Sequence, residues 1–328
     1  MGRKKVFSGI QPSGDIHIGN YLGAIKAWVK NQEDFDNIFC VVDLHAITVS
    51  QDPKELKQKI RETAGILIAS GIDPEKSSLF VQSHISAHSE LAWILNCFTP
   101  MGWMERMTQF KEKSEGQKER VSVGLFDYPV LMSADILLYD TEIVPVGEDQ
   151  IQHVELARDI AKRFNSIYGD TFTIPKGVIA ESGARIMGLQ KPENKMSKSD
   201  KGENNLIRLL DSPDDIISKI SKAPTDSEIS IVFDKGRAGV YNLLTIYKLC
   251  SGLSEEEIEK KFEGKGYADL KKDLADVIIQ EFKPIQERYK DIMSDNSSLD
   301  KILKKGKEKV EPIAEKKLQE IKTVIGLD

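Results

Sequence analysis

The chain has 328 residues, of which 40% are hydrophobic and 30% charged, and it carries a formal net charge of −6. That length allows one large or two ordinary domains, and that balance excludes a disordered or low-complexity chain. An acidic total gives no general attraction for nucleic acid, so such a partner has to be met by a local patch. Cys40, Cys97 and Cys250 are far apart and show no CxxC spacing, which argues against a disulfide framework and against a structural zinc or iron–sulfur site. They read as three small core residues. No apolar run approaches the roughly twenty residues of a membrane span. Arg3, Lys4 and Lys5 lead straight into a strand with no signal-peptide layout, so the expectation is a cytoplasmic protein with no membrane partner.

The first apolar strand, at Lys5-Val6-Phe7, runs into a loop holding Gly9, Pro12, Ser13 and Gly14. His17-Ile18-Gly19-Asn20 follows, and then an amphipathic helix from Tyr21 to Val29. A strand, a glycine-rich turn and a helix start in that order make a candidate anion site, with unpaired first-turn N–H groups and a positive dipole end. The alternative is a plain strand–helix turn. Residues 37–43 predict a buried strand, Pro53 to Ala69 a helix with proline at N1 that Gly71 ends, residues 78–82 a third strand, and Ala87 to Cys97 a helix. This alternation implies right-handed crossovers and an α/β fold, a doubly wound parallel (Rossmann-like) sheet. Ligands bind such sheets at the carboxyl ends of the strands, where residues 11–20, 43–45 and 82–84 fall.

Residues 102–139 read as helical, a helical insertion in the sheet domain. Met101, Met104 and Met107 are spaced for core or subunit contact. The run from Gly124 to Tyr139 is largely apolar yet holds Asp127 and Asp135. A buried carboxylate is costly unless paired, so Asp135 needs a ligand or a structural hydrogen bond. Residues 142–146 predict a strand, and Gly147-Glu148-Asp149-Gln150 opens a helix reaching about Phe164, acidic residues there being ordinary capping. Lys195-Met196-Ser197-Lys198-Ser199 lies in a polar loop. Two lysines either side of Ser197 suit a polyphosphate clamp or, alternatively, a solvated loop.

Beyond Ser199 the strand signal ends. Residues 213–222, 240–251, 254–262, 266–293 and 299–325 predict helices, with a capping box at Ser254 to Glu257. We read residues 201–328 as an α-helical bundle appended to a sheet domain of residues 1–200, its last helix packing back on that domain. Lys301, Lys304, Lys305, Lys307 and Lys309 offer a local basic patch that a nucleic acid could meet, but they read first as an exposed helix face with i,i+4 pairs. No GxxxxGK[ST] occurs, which rules out a P-loop.

HIGN near the start, paired with KMSKS in the second half, resembles the signature pair of class I aminoacyl-tRNA synthetases. The wider wording FSGIQPSGDIHIGNYLGA, VVDLHAIT, PVGEDQ and GARIMGLQKPENKMSKS is similar to the bacterial tryptophanyl branch, across nearly the whole chain. The resemblance implies ATP as substrate, with Mg²⁺ carried on its phosphates. It further implies L-tryptophan and tRNA(Trp) as partners, a homodimer whose interface lies in residues 101–139, and an anticodon-binding role for residues 201–328. The lysine loop and bundle are expected to move towards the first domain when ATP binds.

Residue by residue, Gln11, Pro12 and Ser13 match the family's ATP loop, and Gly19 and Asn20 its helix-start contact. His17 matches the first histidine of the class motif. Asn20 replaces the usual second histidine, as is common in the tryptophan branch, so a two-histidine mechanism is not imported. Gly147, Glu148 and Asp149 match the ribose segment, Ile186 the position flanking adenine, and Lys195, Met196, Ser197, Lys198 and Ser199 the pyrophosphate clamp. Lys113 matches a further phosphate lysine or is a solvated loop residue. For tryptophan, Asp135 matches the acceptor of the indole N–H. Phe7, His45, Met132, Val144 and Val146 match the walls, and Tyr128 and Gln150 the groups near the α-amine. The competing readings are a tyrosyl-tRNA synthetase, a small-molecule nucleotidyltransferase, and a non-catalytic relative that binds RNA or senses tryptophan. Asp135 and SGIQPSG favour tryptophan over tyrosine. The helical bundle and the intact Asn20, Asp135, Lys195 and Lys198 weigh against the other two.

Overall fold

Alternate residues of Lys5–Ile10, strand β1, face opposite sides of a five-stranded parallel sheet. The other strands are β2 (Asp36–Val41), β3 (Ser78–Val81), β4 (Ile143–Val146) and β5 (Lys176–Ile179), in the order β3-β2-β1-β4-β5. Phe7 lies opposite Ile38, Val6 opposite Ile143, and Ile143 opposite Lys176. The order reverses between β1 and β4, so the ligand crevice of a doubly wound sheet opens between the ends of those strands. The structure, a computed structural model, describes residues 2–107, 122–179, 185–198, 202–228 and 230–327. Lys113 and Ser199 lie outside the described residues.

Strand β5 was not expected from the sequence. Its four residues show no alternation, most are exposed, and it lies at the sheet edge, where pairing with β4 decides its conformation. The helices follow their local signals more closely. Helix α1 covers residues 18–30 as Ile18–Asn20, a π-helical turn Tyr21–Ile25, and Lys26–Lys30. Short α2 is Asp43–Ala46, and α3 is Pro53–Ala69, the predicted span. Its N-cap, Asp52, accepts from the N–H groups of Lys54 and Glu55 at 2.9 Å, and Pro53 gives up an N–H that a first turn cannot use. Then come α4 (Ala87–Phe98), α5 (Met101–Met104), α6 (Val123–Leu137) and α7 (Ile151–Tyr168). Residues 148–150 form a 3-10 turn rather than the first turn of that helix. The second half holds α8 (Pro213–Ser221), α9 (Ala238–Ser251), α10 (Glu255–Lys261, with the expected Ser254 capping box), α11 (Tyr267–Ser294) and α12 (Asn296–Ile325).

Phe39, Val41, Leu79 and Val81 point to one core with α1, α3 and the helices of the second half. Ile38, Cys40 and Phe80 point to the other, with α4, α6 and α7. Helix α12 joins both: Leu299 and Leu303 belong to the first core, Val310, Ala314 and Leu318 to the second. It therefore crosses the β3 edge and covers backbone groups that an edge strand leaves open. Lys305 pairs with Glu75 at 2.6 Å, and Lys309 donates to the Pro74 carbonyl at 2.7 Å. Lys304–Glu308 and Lys307–Glu311 are the i,i+4 pairs the lysine run predicted. Cys40 and Cys250 are buried, but Cys97 is exposed on α4, which corrects the reading of three core cysteines. Met104 and Met107 are buried, whereas Met101 is exposed. No helix among the described residues is long and apolar enough to cross a membrane.

Candidate active site

The His17–Asn20 motif is first of all a helix cap. His17 Nδ1 accepts from the Gly19 N–H at 3.1 Å, and Asn20 Oδ1 accepts from the His17 N–H at 3.2 Å. A Cβ at Gly19 would sit 2.9 Å from the His17 ring, so only glycine lets the imidazole fold back over the first turn. The Ile18 N–H donates to the Ile207 carbonyl at 2.8 Å, and the Leu209 N–H to Ile16 at 3.0 Å. The Asn20 and Tyr21 N–H groups bond to the His17 carbonyl. The expected unpaired first-turn donors are thus already satisfied. What remains for an anion here is the dipole, side-chain donors and nearby cations.

Those cations come from the lysine loop. Gly14 has φ +65°, and its missing Cβ would lie 3.1 Å from Lys198 Cβ and 3.2 Å from the Lys198 carbonyl. Lys198 Nζ donates to the Gln11 carbonyl at 2.8 Å. Asp15, next along, accepts from Lys59 and from Arg208 at 2.6 Å each. The loop after β1 and the chain around the lysine motif are therefore held together. Burial pushes His17 down to about 3, and the charges of Lys198 and Lys195 push the same way. The imidazole is neutral, chiefly because it is buried, and the two lysines add a smaller push in the same direction. Burial also brings Lys198 down to about 8. Lys195 reaches across to Asp149, with Nζ 2.9 Å from Oδ1, both groups about half-exposed.

Two adjoining cavities collect most of the predicted residues. The larger, about 840 Å³, is lined by His17, Gly19, Asn20, Gly147, Glu148, Asp149, Ile186, Lys195 and Met196 among others. The smaller, about 350 Å³, is lined by all eight residues expected around tryptophan: Asp135 and the wall residues Phe7, His45, Met132, Val144 and Val146, with Tyr128 and Gln150 expected near the α-amine. Gln11 also lines it, and Asn20, Pro145, Val146 and Gly147 line both. Pro12, Ser13, Ser197 and Lys198 line neither cavity, and Lys198 instead closes on Gln11.

Asp135 finds its partners inside the protein. Gln82 Nε2 donates to Oδ1 at 2.7 Å, His88 Nδ1 lies 2.7 Å from Oδ1, and His45 Nε2 lies 2.8 Å from Oδ2. Burial alone would raise its pKa, but hydrogen bonds from His45 and His88 outweigh that and hold it below the usual carboxylate range. From sequence, Gln82 is only part of the 82–84 stretch placed at the ligand-binding strand ends, with no role of its own, and His88 is not named. Gln82 stands just past β3, where a strand-end rule finds it, while His88 has no local signal at all.

A family model for class I tRNA synthetases (W and Y) matches residues 2–283. A tryptophan–tRNA ligase of Caldanaerobacter subterraneus is 57% identical over 99% of this chain and 98% of its own length. The crystal structure of tryptophanyl-tRNA synthetase from Mycoplasma pneumoniae has a TM-score of 0.92 at 36% identity, covering 100% of this chain and 99% of that one. The Campylobacter jejuni enzyme complexed with ADP and tryptophan has a TM-score of 0.84 at 41% identity, covering 98% and 100%. With His17, Gly19 and Asn20 of the first motif and Lys195 and Met196 of the second lining one cavity, and with these matches along its length, the chain belongs to the class I tRNA synthetases of the tryptophan and tyrosine group.

Proposed function

We propose that this chain activates L-tryptophan with ATP to tryptophanyl-adenylate and pyrophosphate, then transfers tryptophan to the 3′ end of tRNA(Trp). One observation carries this reading. A small compartment in which Asp135 is the one carboxylate among the described lining residues opens through Asn20, Val146 and Gly147 into a larger one that Lys195 faces. An indole is an apolar plate with one N–H donor, and Asp135 supplies the one acceptor. The tryptophan carboxylate then lies towards the α-phosphate of ATP in the larger cavity. The resemblance of the chain to an enzyme solved with ADP and tryptophan supports the same arrangement.

In this reading the chemistry needs no protein nucleophile. The carboxylate oxygen bonds to the α-phosphorus, the bond to the β-phosphate bridging oxygen breaks, and pyrophosphate leaves with that electron pair. The protein aligns the reactants and offsets charge. Lys195 and Lys198 supply positive charge to the leaving pyrophosphate. His17, neutral and accepting at Nδ1, offers Nε2–H as an uncharged donor. Asn20 lies where the cavities meet, and Tyr128 and Gln150 hold the α-amine. Mg²⁺ enters on the ATP phosphates. Lys113, Ser199 and the anticodon-binding role of residues 201–328 belong to the same proposal, as do cytoplasmic location and closure of the lysine loop on ATP.

Homodimer formation is also part of this reading. Ile47, Val49, Trp93, Met101 and Val123 are exposed, and Ser122 Oγ donates to the Thr48 carbonyl at 3.1 Å, joining two of these stretches. Sedimentation analysis is expected to give a dimer that Trp93→Asp weakens. The deciding experiment is amino-acid-dependent ATP–pyrophosphate exchange across all twenty amino acids. Exchange with tryptophan is the expected result, and exchange with tyrosine instead would overturn the assignment of the pocket.

A further inference from the structure

Asp135 is 1% exposed, and the groups behind it form an ordered chain of donors. Gln82 Oε1 accepts from the Leu44 N–H at 3.0 Å while its Nε2 donates to Asp135 Oδ1, so the amide cannot turn over without losing both bonds. His88 Nε2 lies 2.8 Å from the Tyr139 hydroxyl, and its Nδ1 lies 2.7 Å from Asp135 Oδ1. An ionised carboxylate only accepts, so His88 Nδ1 carries a proton and donates it. Its Nε2 faces the Tyr139 O–H, whose proton is held firmly because burial pushes the phenol well above its usual range, and this contact orients the ring. The Tyr139 ring is fixed in turn by stacking on Phe7, with centroids 5.9 Å apart and planes 10° apart. Gln82 and His88 are fully buried, and neither these two nor Tyr139 lines either cavity.

We propose that His88, oriented by Tyr139, acts with Gln82 as a positioning residue for amino-acid specificity, the pair occupying Asp135 Oδ1 so that Oδ2, beside His45, takes the N–H of the bound amino acid. The proposal rests on the reading of Asp135 as the indole acceptor. Each carboxylate oxygen has about two lone-pair directions, and Oδ1 has both of its own filled from behind the cavity wall. Without the His88 donor, a dry carboxylate is left with an unmet position. It then turns towards another donor or takes up a proton, and in either case the cavity loses its fixed acceptor. The penalty against a side chain that lacks an N–H falls with it.

The test uses exchange kinetics with tryptophan and with β-(benzothiophen-3-yl)alanine, which keeps the shape of tryptophan but has sulfur in place of N–H. The readout is the ratio of their kcat/KM values, with KM for ATP measured alongside. The wild-type chain is expected to prefer tryptophan by about 100-fold, the usual order for leaving a buried charged acceptor unmet. His88→Gln, which places its amide near the Nε2 position, and Tyr139→Phe, which keeps the ring and its stacking, are each expected to lower the ratio by about 10-fold. KM for ATP should change little. His88→Asn, whose amide N–H falls where Nδ1–H was, is expected to restore most of the ratio. An unchanged ratio in Tyr139→Phe and His88→Gln, or an equal loss on both substrates, overturns the proposal. A wild-type chain with no preference overturns the Asp135 reading itself, and that failure is seen before any variant is made. Tyr139→Phe, the gentlest change, decides the matter where a His88 variant does not fold.

Discussion

Gly306 of the last helix rests directly on the backbone of Leu79 in β3: a Cβ there would stand 1.8 Å from the Leu79 carbonyl oxygen. Two effects of Gly306→Ala oppose each other. Helix propensity favours alanine by roughly 1 kcal/mol, whereas overpacking a close contact costs about 1–3 kcal/mol or more. The clash is with backbone, which cannot rotate away, so destabilisation wins. Urea unfolding should show a lower midpoint for Gly306→Ala, while Gly102→Ala, with nothing within 4 Å of its added methyl, should be neutral or stabilising. A Gly306→Ala chain as stable as wild type would mean that α12 does not sit on β3 in this way.

Lys198 predicts a pH dependence. Burial lowers it from the usual 10.5 to about 8, Asp15 opposing and Lys59 adding to the fall. Between those two values the folded chain binds fewer protons than the unfolded one, so this group makes stability rise with pH across that window, the buried charge being a cost below it. The proposed role as a phosphate clamp runs the other way, because a polyphosphate needs the ammonium form. The kcat/KM for ATP is expected to fall as pH rises through about 8. Lys198→Arg, charged at any accessible pH, should lose that limb, and persistence of the limb in the arginine chain would refute the assignment.

His17 is expected to stay neutral across the working range. Burial first, then Lys198 and Lys195, carry it from 6.5 to about 3, so its share of stability is lost as pH falls from about 6.5 to about 3. Imidazole NMR shifts of His17 should be flat above pH 5. His17→Asn can still cap the helix and should unfold near the wild-type midpoint, whereas His17→Ala should lose about 1 kcal/mol. A His17 resonance titrating near neutrality would contradict the shielded, positively biased setting described above.

Lys195 and Asp149 both line the larger cavity, so a polyphosphate bound there would compete with Asp149 for the lysine. Half-exposed pairs of this kind are worth about 0.2–1 kcal/mol. Asp149→Asn is therefore expected to tighten tripolyphosphate binding by roughly 2–5-fold at low salt, an effect that fades as ionic strength rises. Calorimetry with tripolyphosphate measures it directly. Unchanged or weaker binding would show that Asp149 does not compete for the lysine.

Strands β1 to β4, the proline start of α3, the cap of α10, the motif residues and, through the resemblance, the eight side chains gathered around the smaller cavity are legible in the sequence alone. Periodicity and capping act over a few residues, and motif wording travels with the residues themselves, so both can be read without the fold. Tertiary structure decided the rest. Strand β5 exists because β4 offers it a ladder, and Cys97 is exposed because its helix turns that face outward. The paired first-turn donors at His17, the closure of Lys198 on Gln11 across 187 residues, and the chain from Tyr139 through His88 to Asp135 depend on groups far apart in sequence. Their protonation and direction follow from burial and from the charges that folding brings near, and neither is encoded in any one segment of the chain.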